Sequence, residues 1–332
     1  MDLFELTKAL VNIPSVTGSE GALADFLLAF LRQWGFDARE QVVEQNRRNV
    51  FAAAGAKTDV VMCTHMDTVP GPPVASEDGE CIYGRGSCDA KGIMAAMIVA
   101  AHALLEEGIQ SVGLLFVVGE ETDSLGARRA NALDPGSRFI IVGEPTGNVL
   151  ASGHKGILTI RLTTRGRKAH SAFPHLGESA VTKLLDCLQI VRDLELGEDP
   201  ALGGNMLNIG RIEGGVAPNV IPDAAEAVLS YRTAVAPDHI LGQIVRAVGR
   251  SADLKVITKS DPQILHTVPG FAKAVMPFGS DIPHLKAFGK PLLIGPGSAF
   301  DAHTEAEKME KKSLLEAVDI YKKLAKALLA EI

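Results

Sequence analysis

The stretch Val60-Val61-Met62-Cys63-Thr64-His65-Met66-Asp67-Thr68-Val69-Pro70-Gly71 decides how the chain reads. It opens on an apolar run bounded by polar residues, the pattern of a buried strand. A histidine just past the end of such a strand can turn its imidazole toward a metal. Asp67, two residues on, lies on the same side of an extended chain, because side chains repeat every second residue. There it can accept the proton of the other ring nitrogen and fix which nitrogen faces the metal. Taken alone, a His-x-Asp pair is mostly ordinary polar surface.

Working outward, Leu3 to Val11 predicts a short helix stopped before Pro14, and Ser19 is placed to cap a helix running to about Trp34. Leu23, Phe26, Leu27, Phe30, Leu31 and Trp34 recur at three and four in that second helix, so they read as packing. Asn49–Ala53, Val60–Cys63, Val112–Val118 and Phe139–Val142 predict strands. The alanine-rich stretch from Lys91 to Glu107 predicts a buried helix, and Ala127–Ala132 a short one. Buried strands separated by helices imply an α/β fold with a mostly parallel sheet covered on both faces.

Near Gly153 the texture changes. His154–Thr164, Met206–Ile212, Ala224–Arg232 and Leu254–Thr258 predict strands, with helices over Glu178–Leu194 and Pro237–Gly249. The order β-α-β-β-α-β is that of a ferredoxin-like α+β module. After about Pro262 the first texture resumes, with a strand at Pro291–Ile294 and a terminal helix from Glu310 to Leu329. The expected organisation is one domain of residues 1–153 and 263–332, with residues 154–262 inserted.

The composition narrows the function. The chain has 332 residues, 46% of them hydrophobic and 22% charged, enough to bury a sizeable core without disulfides. The net charge is −7 and the signs are interspersed, which argues against nucleic acid and anionic membrane as partners. Cys63, Cys81, Cys88 and Cys187 form no CxxC, as suits a reducing compartment, and Cys63 and Cys88 read as small buried fillers. The N-terminus has no basic stretch ahead of an apolar core, and no apolar run reaches membrane length. The expectation is a cytoplasmic protein.

Polar features stand beyond several of the strands. Besides His65 and Asp67 they are Gly84-Arg85-Gly86-Ser87-Cys88-Asp89-Ala90-Lys91-Gly92, Gly119-Glu120-Glu121, Val142-Gly143-Glu144-Pro145-Thr146 and Asp301-Ala302-His303. Asp89 reads either as the cap of the helix that follows or as a metal ligand, with the cap favoured. Adjacent Glu120 and Glu121 point opposite ways on an extended chain, so one can bind a metal while the other addresses something else. Carboxylates buried there are costly unless they meet a cation. Open α/β sheets place their sites beyond the carboxyl ends of their strands. Histidines and carboxylates without cysteine suit a pair of borderline ions, zinc first. A dinucleotide fingerprint is absent, since Asp89 stands where a third glycine would be needed.

With THMDTVPG, GRGSCDAKG, GEETDSLGA, VGEPTG, GRKAHSAFP, APNVIPD and AHTEAE in this order, the chain resembles the co-catalytic zinc aminoacylase and exopeptidase family. That family contains acetylornithine deacetylase, succinyl-diaminopimelate desuccinylase, carboxypeptidase G and the tripeptidase peptidase T. The resemblance covers essentially the whole chain. It implies that His65 and Glu144 bind one zinc, that Glu121 and His303 bind the other, and that Asp89 bridges them, with Co2+ or Mn2+ as possible substitutes. It further implies that Asp67 orients His65 and that Glu120 is the general base, taking a proton from the attacking water and returning it to the leaving amine.

The Asp89–Ala90 peptide falls where this family has a cis bond. The inserted module resembles the family's lid and dimerisation domain, which implies a homodimer. There His170 would reach into the partner's site and stabilise the oxyanion, although alone it reads as a solvated loop residue. Arg232 and Asn219 match positions that hold the substrate's carboxylate or carbonyl, Asn219 reading otherwise as a turn residue. Gly295-Pro296-Gly297-Ser298 should offer backbone N–H groups, Gly297 among them, to the substrate. The activity expected from the resemblance is hydrolysis of a small N-acyl amino acid, N-acetylornithine first, with a desuccinylase or a carboxypeptidase or dipeptidase as the alternative; an inactive binding relative is a distant one, since no ligand position and no general base is missing.

Overall fold

The computed structural model describes residues 1–332 apart from Pro73 and Asp134. The chain divides into two compact units, one of residues 1–152, 265–274 and 280–332, the other of residues 153–264 and 275–279.

The first unit begins with helices α1 (Leu3–Val11) and α2 (Gly21–Gln33). Asp2 caps α1, accepting from the backbone N–H groups of Phe4 and Glu5. Ser19 does not cap α2. Its N–H closes a turn onto Val16, and Glu20 takes the cap position with its carboxylate turned to Arg47 at 2.8 and 3.1 Å. Strands β1 (Asp37–Glu44) and β2 (Arg47–Ala53) form an antiparallel hairpin through Asn46, whose φ of 62° closes the turn. Then come β3 (Val60–His65), α3 (Lys91–Glu106), β4 (Val112–Val117), α4 (Leu125–Ala130) and β5 (Phe139–Val142).

These strands, with Lys290–Leu293, make one sheet in the order β1-β2-β4-β3-β5-Lys290–Leu293. The β1–β2 and β2–β4 pairs are antiparallel and the rest parallel, so the sheet is mixed. Every residue of β3, β4 and β5 is buried, as parallel strands covered on both faces require. The largely buried α3 packs against α1 and against the C-terminal helix Lys311–Leu329. Gly143 leaves room for α3, since a Cβ there would collide with Ile93 and Met97.

The second unit has strands β6 (Gly156–Arg165), β7 (Met206–Gly214), β8 (Ala224–Thr233) and β9 (Asp253–Ser260), with helices α5 (Ala180–Arg192) and α6 (Pro237–Val248). Its sheet runs β7-β8-β6-β9, antiparallel throughout, which is the ferredoxin-like order. Leu158, Ile160 and Leu162 of β6 alternate inward and meet Leu184 and Leu188 of α5 and Ile240 and Ile244 of α6 in one core.

Candidate metal centre

Strand register assembles the site. Cys63 pairs with Val142 and His65 with Val117 in parallel ladders, so β3, β4 and β5 end at one edge of the sheet. The segments carrying His65, Glu120, Glu121 and Glu144 all leave from that edge.

One ligand atom from each of His65, Asp89 and Glu121 lies within 4.8 Å of the others. The two oxygens of Asp89 face two imidazoles, Oδ1 at 2.9 Å from His65 Nε2 and Oδ2 at 3.2 Å from His303 Nε2. The cap reading of Asp89 does not hold, because Ala90 takes the N-cap position of α3 and no side chain caps it. His303 Nε2 also lies 2.9 Å from Glu121 Oε1. His303 adopts a φ of 63°, in the left-handed region that side chains other than glycine rarely occupy, and is half exposed. The Asp89–Ala90 peptide is cis.

Asp67 does something different from what its spacing predicts. His65 Nδ1 sits 2.9 Å from the main-chain oxygen of Asp67, with the carboxylate at 3.6 Å. The backbone carbonyl is therefore the hydrogen-bond partner that orients the ring. The carboxylate instead accepts from the N–H groups of Gly119 (2.9 Å), Glu120 (3.1 Å) and Glu121 (3.2 Å) and from the Thr17 hydroxyl (2.7 Å). It holds the turn that presents Glu120 and Glu121.

The electrostatics show an unmet demand for positive charge. Burial, and then Asp281, Asp89 and Glu121, push the Glu120 carboxyl well above its usual range. Burial, and then Glu120 and Asp89, do the same to Glu144. Burial opposes protonation of His65, yet its contacts with Asp67 and Asp89 raise it well above normal. His303 is raised to about 10 by Asp89 and Glu121. Asp89 goes the other way: burial would lift it, but His303 and His65 hold it below the usual carboxylate range. Two imidazoles cannot balance this many buried carboxylates, whereas divalent ions can. Imidazole nitrogens and carboxylate oxygens without a thiolate are the donors such ions take. The residues fit a metal centre.

Asp281 was not singled out in the sequence. It is 2% exposed, neither oxygen has a well-formed hydrogen bond although Ser124 is near enough to lower it, and burial lifts it to about 6. No spacing signal marks it, because it follows an irregular stretch. Arg85 and Glu307 were missed as well, though each lies inside a quoted motif. Cys63 and Cys88 are buried, and burial raises both thiols, as befits fillers.

Gly297 departs from expectation. Its N–H donates to Ser313 Oγ (3.2 Å) and that of Gly295 to Thr146 Oγ1 (3.0 Å), so the fold itself uses both. At Gly297, a φ of 82° goes with a peptide N–H bonded to the first turn of the C-terminal helix. His170, Asn219 and Arg232 belong to the second unit. There His170 pairs with Val220, and Ser171 N–H donates to the Asn219 carbonyl (3.0 Å), so His170 and Asn219 lie on neighbouring segments and both are exposed. His170 Nδ1 accepts from the Ala172 N–H. Arg232 lies on β8, opposite Met206 and Ile157.

The chain is similar to a probable carboxypeptidase of Emericella nidulans, 37% identical over 98% of this chain and 89% of that one. It is also similar to a peptidase M20 domain-containing protein of Schizosaccharomyces pombe, 39% identical over 97% and 84%. Among solved structures, a tripeptidase from Staphylococcus aureus has a TM-score of 0.80 at 21% identity over 98% of each chain. An M20 family metallo-carboxypeptidase from Sulfolobus solfataricus has 0.79 at 16% over 99% of each, and a dinuclear metal binding peptidase from Bacillus subtilis 0.72 at 16% over 99% and 98%. These structures share the fold. The Emericella nidulans relative and one from Aspergillus clavatus at 36% identity are probable carboxypeptidases by name, and residues 61–327 match the family described as Peptidase family M20/M25/M40, so this chain belongs to that family of amide- and peptide-bond hydrolases.

Proposed function

We propose that this protein is a dinuclear metallo-exopeptidase that cleaves a dipeptide or short peptide at its C-terminal residue. The observation that carries the reading is the Asp89 carboxylate set between His65 and His303, with Glu121 beside both. The names of the curated relatives support a peptide over N-acetylornithine. In this reading His65, Glu144, Glu121, His303 and Asp89 would hold the two ions, zinc first. Bound there, the ions would supply a Lewis acid for the scissile carbonyl and make water available as a nucleophile near neutral pH.

The chain's own residues do the rest. Glu120, whose carboxyl burial has raised, takes the proton of the attacking water and passes it to the leaving amine nitrogen. Asp67 keeps Glu120 in place through the Gly119–Glu121 amides. Arg232 offers a planar fork to the substrate's terminal carboxylate, Asn219 binds a carbonyl, and His170 serves the site of a partner subunit in a homodimer formed through the second unit.

The test is amine release by zinc-loaded protein from a panel: a dipeptide with C-terminal glutamate, one with an apolar C-terminal residue, N-acetylornithine, N-acetylmethionine and N-succinyl-diaminopimelate. Cleavage of the dipeptides is expected. Turnover confined to N-acetylornithine would reject the carboxypeptidase reading and keep the site. Dimers mixed from His170→Ala and Glu120→Ala chains should recover activity, and no recovery would show that His170 does not act across subunits.

A further inference from the structure

We infer that Arg85 and Glu307 form a buried positioning device that sets the metal affinity of the centre, an inference that rests on the metal reading above. Glu307 is 2% exposed and Arg85 7%. Glu307 Oε1 accepts from the N–H groups of Gly86 (3.0 Å), Cys88 (2.9 Å) and Asp89 (3.0 Å), while Oε2 takes Arg85 Nη1. Both Glu307 oxygens are thus engaged by donors of the protein itself. Glu307 shapes the loop that delivers Asp89.

Arg85 carries the same contact to two further ligand-bearing segments. Its Nη2 donates to the Thr304 carbonyl (3.1 Å), next to His303, and its Nε to the Pro70 carbonyl (3.3 Å), in the loop that follows His65. The Gly84 N–H meets the Glu307 carbonyl (3.1 Å), so side chain and main chain pull the same segments together. Gly71 is required there, since a Cβ would collide with the guanidinium. One ion pair thus fixes the spacing between Asp89, His303 and the His65 loop. A planar fork with donors in three directions is needed, which an ammonium does not supply.

Partners that orient ligands typically change metal affinity 10–100-fold when replaced. The test is titration of chelator-stripped protein with Zn2+ and Co2+ against a chromogenic chelator, following the Co2+ absorption bands and the melting of the metal-free protein. Glu307→Gln sets an amide NH2 against Arg85, and Arg85→Lys keeps the charge but not the carbonyl contacts. Both are expected to bind about 10–100-fold more weakly with altered Co2+ bands, and Arg85→Met more weakly than Arg85→Lys. Folded variants that bind both ions within twofold of the wild type, with unchanged bands, would overturn the proposal even if their melting point falls. Should Arg85→Met not fold, the two conservative variants decide. A wild-type protein that binds no divalent ion would instead sink the metal reading itself.

Discussion

Replacing Asp67 by Asn separates the two roles that this residue could have. The carboxylate is fully buried and accepts from three backbone N–H groups and one hydroxyl. An amide keeps one oxygen, which can still serve Gly119 and Glu120. Its NH2 then faces the Glu121 N–H, donor against donor, while the Thr17 hydroxyl can turn and accept. One charge-assisted bond is lost outright, worth about 1.5–3 kcal/mol, and the others fall to neutral strength, near 1 kcal/mol each. Burial would lift the Asp67 carboxyl, yet His65, Thr17 and the Glu121 amide hold it below the usual range, so ionisation favours the fold. The expected loss is about 3 kcal/mol in urea unfolding near neutral pH.

A carboxylate with a depressed folded pKa contributes above its unfolded value and loses that contribution as pH falls. The difference between wild type and variant should therefore shrink below about pH 4. His65 is oriented by the main-chain carbonyl, so metal content should persist. Turnover should drop by about 10²-fold, the usual effect of a misplacement near 1 Å, because Glu120 loses its support. A variant within 1 kcal/mol of wild type that turns over normally would refute the assignment of the carboxylate to the Gly119–Glu121 turn.

Glu120→Gln should lower kcat by about 10²–10⁴-fold with full metal content by mass spectrometry, and metal loss would make Glu120 a ligand instead. Chelation should lower the melting temperature, because it leaves the buried carboxylates around Asp89 facing each other. Zn2+ at a hundred times its Kd should restore about 2.7 kcal/mol, and melting indifferent to chelator and zinc would show that the cluster binds no ion. Burial, then Arg128 and Lys286, lower His284 to about 4 from 6.5. The unfolded chain thus binds its proton first, and stability rises with pH between those values. His284→Asn should remove up to about 1.4 kcal/mol of slope per pH unit there, and an unchanged slope would count against a half-buried neutral imidazole.

The parts of the molecule legible in the sequence are those where chemistry dictates residue type. Val60–His65 announces itself as a buried strand because both of its faces are covered, and His65 and Glu121, which the fold brings together, are of the donor types that a metal takes. Strand β1 stayed hidden: it lies at the sheet edge with only Ala38 fully covered, and its Arg, Glu and Gln residues erase the alternation. The cap of α2 was misplaced by one residue because Glu20 answers to Arg47, which is distant in sequence.

The deeper difficulty lies in the carboxylates, which a sequence presents as equals. The fold sorts them by the supply of donors. Asp67 and Glu307 are each ringed by backbone N–H groups and spend their charge on main chain, where no residue type records the partner. Glu120 and Glu144 are held among other carboxylates and pushed toward their neutral forms, a state that only a cation or a transferable proton relieves. The first group fixes geometry and the second leaves chemistry to be done. Glu120 falls in the second group while its backbone N–H hangs on a member of the first, so the placement of its carboxylate depends on Asp67, 53 residues earlier in the chain.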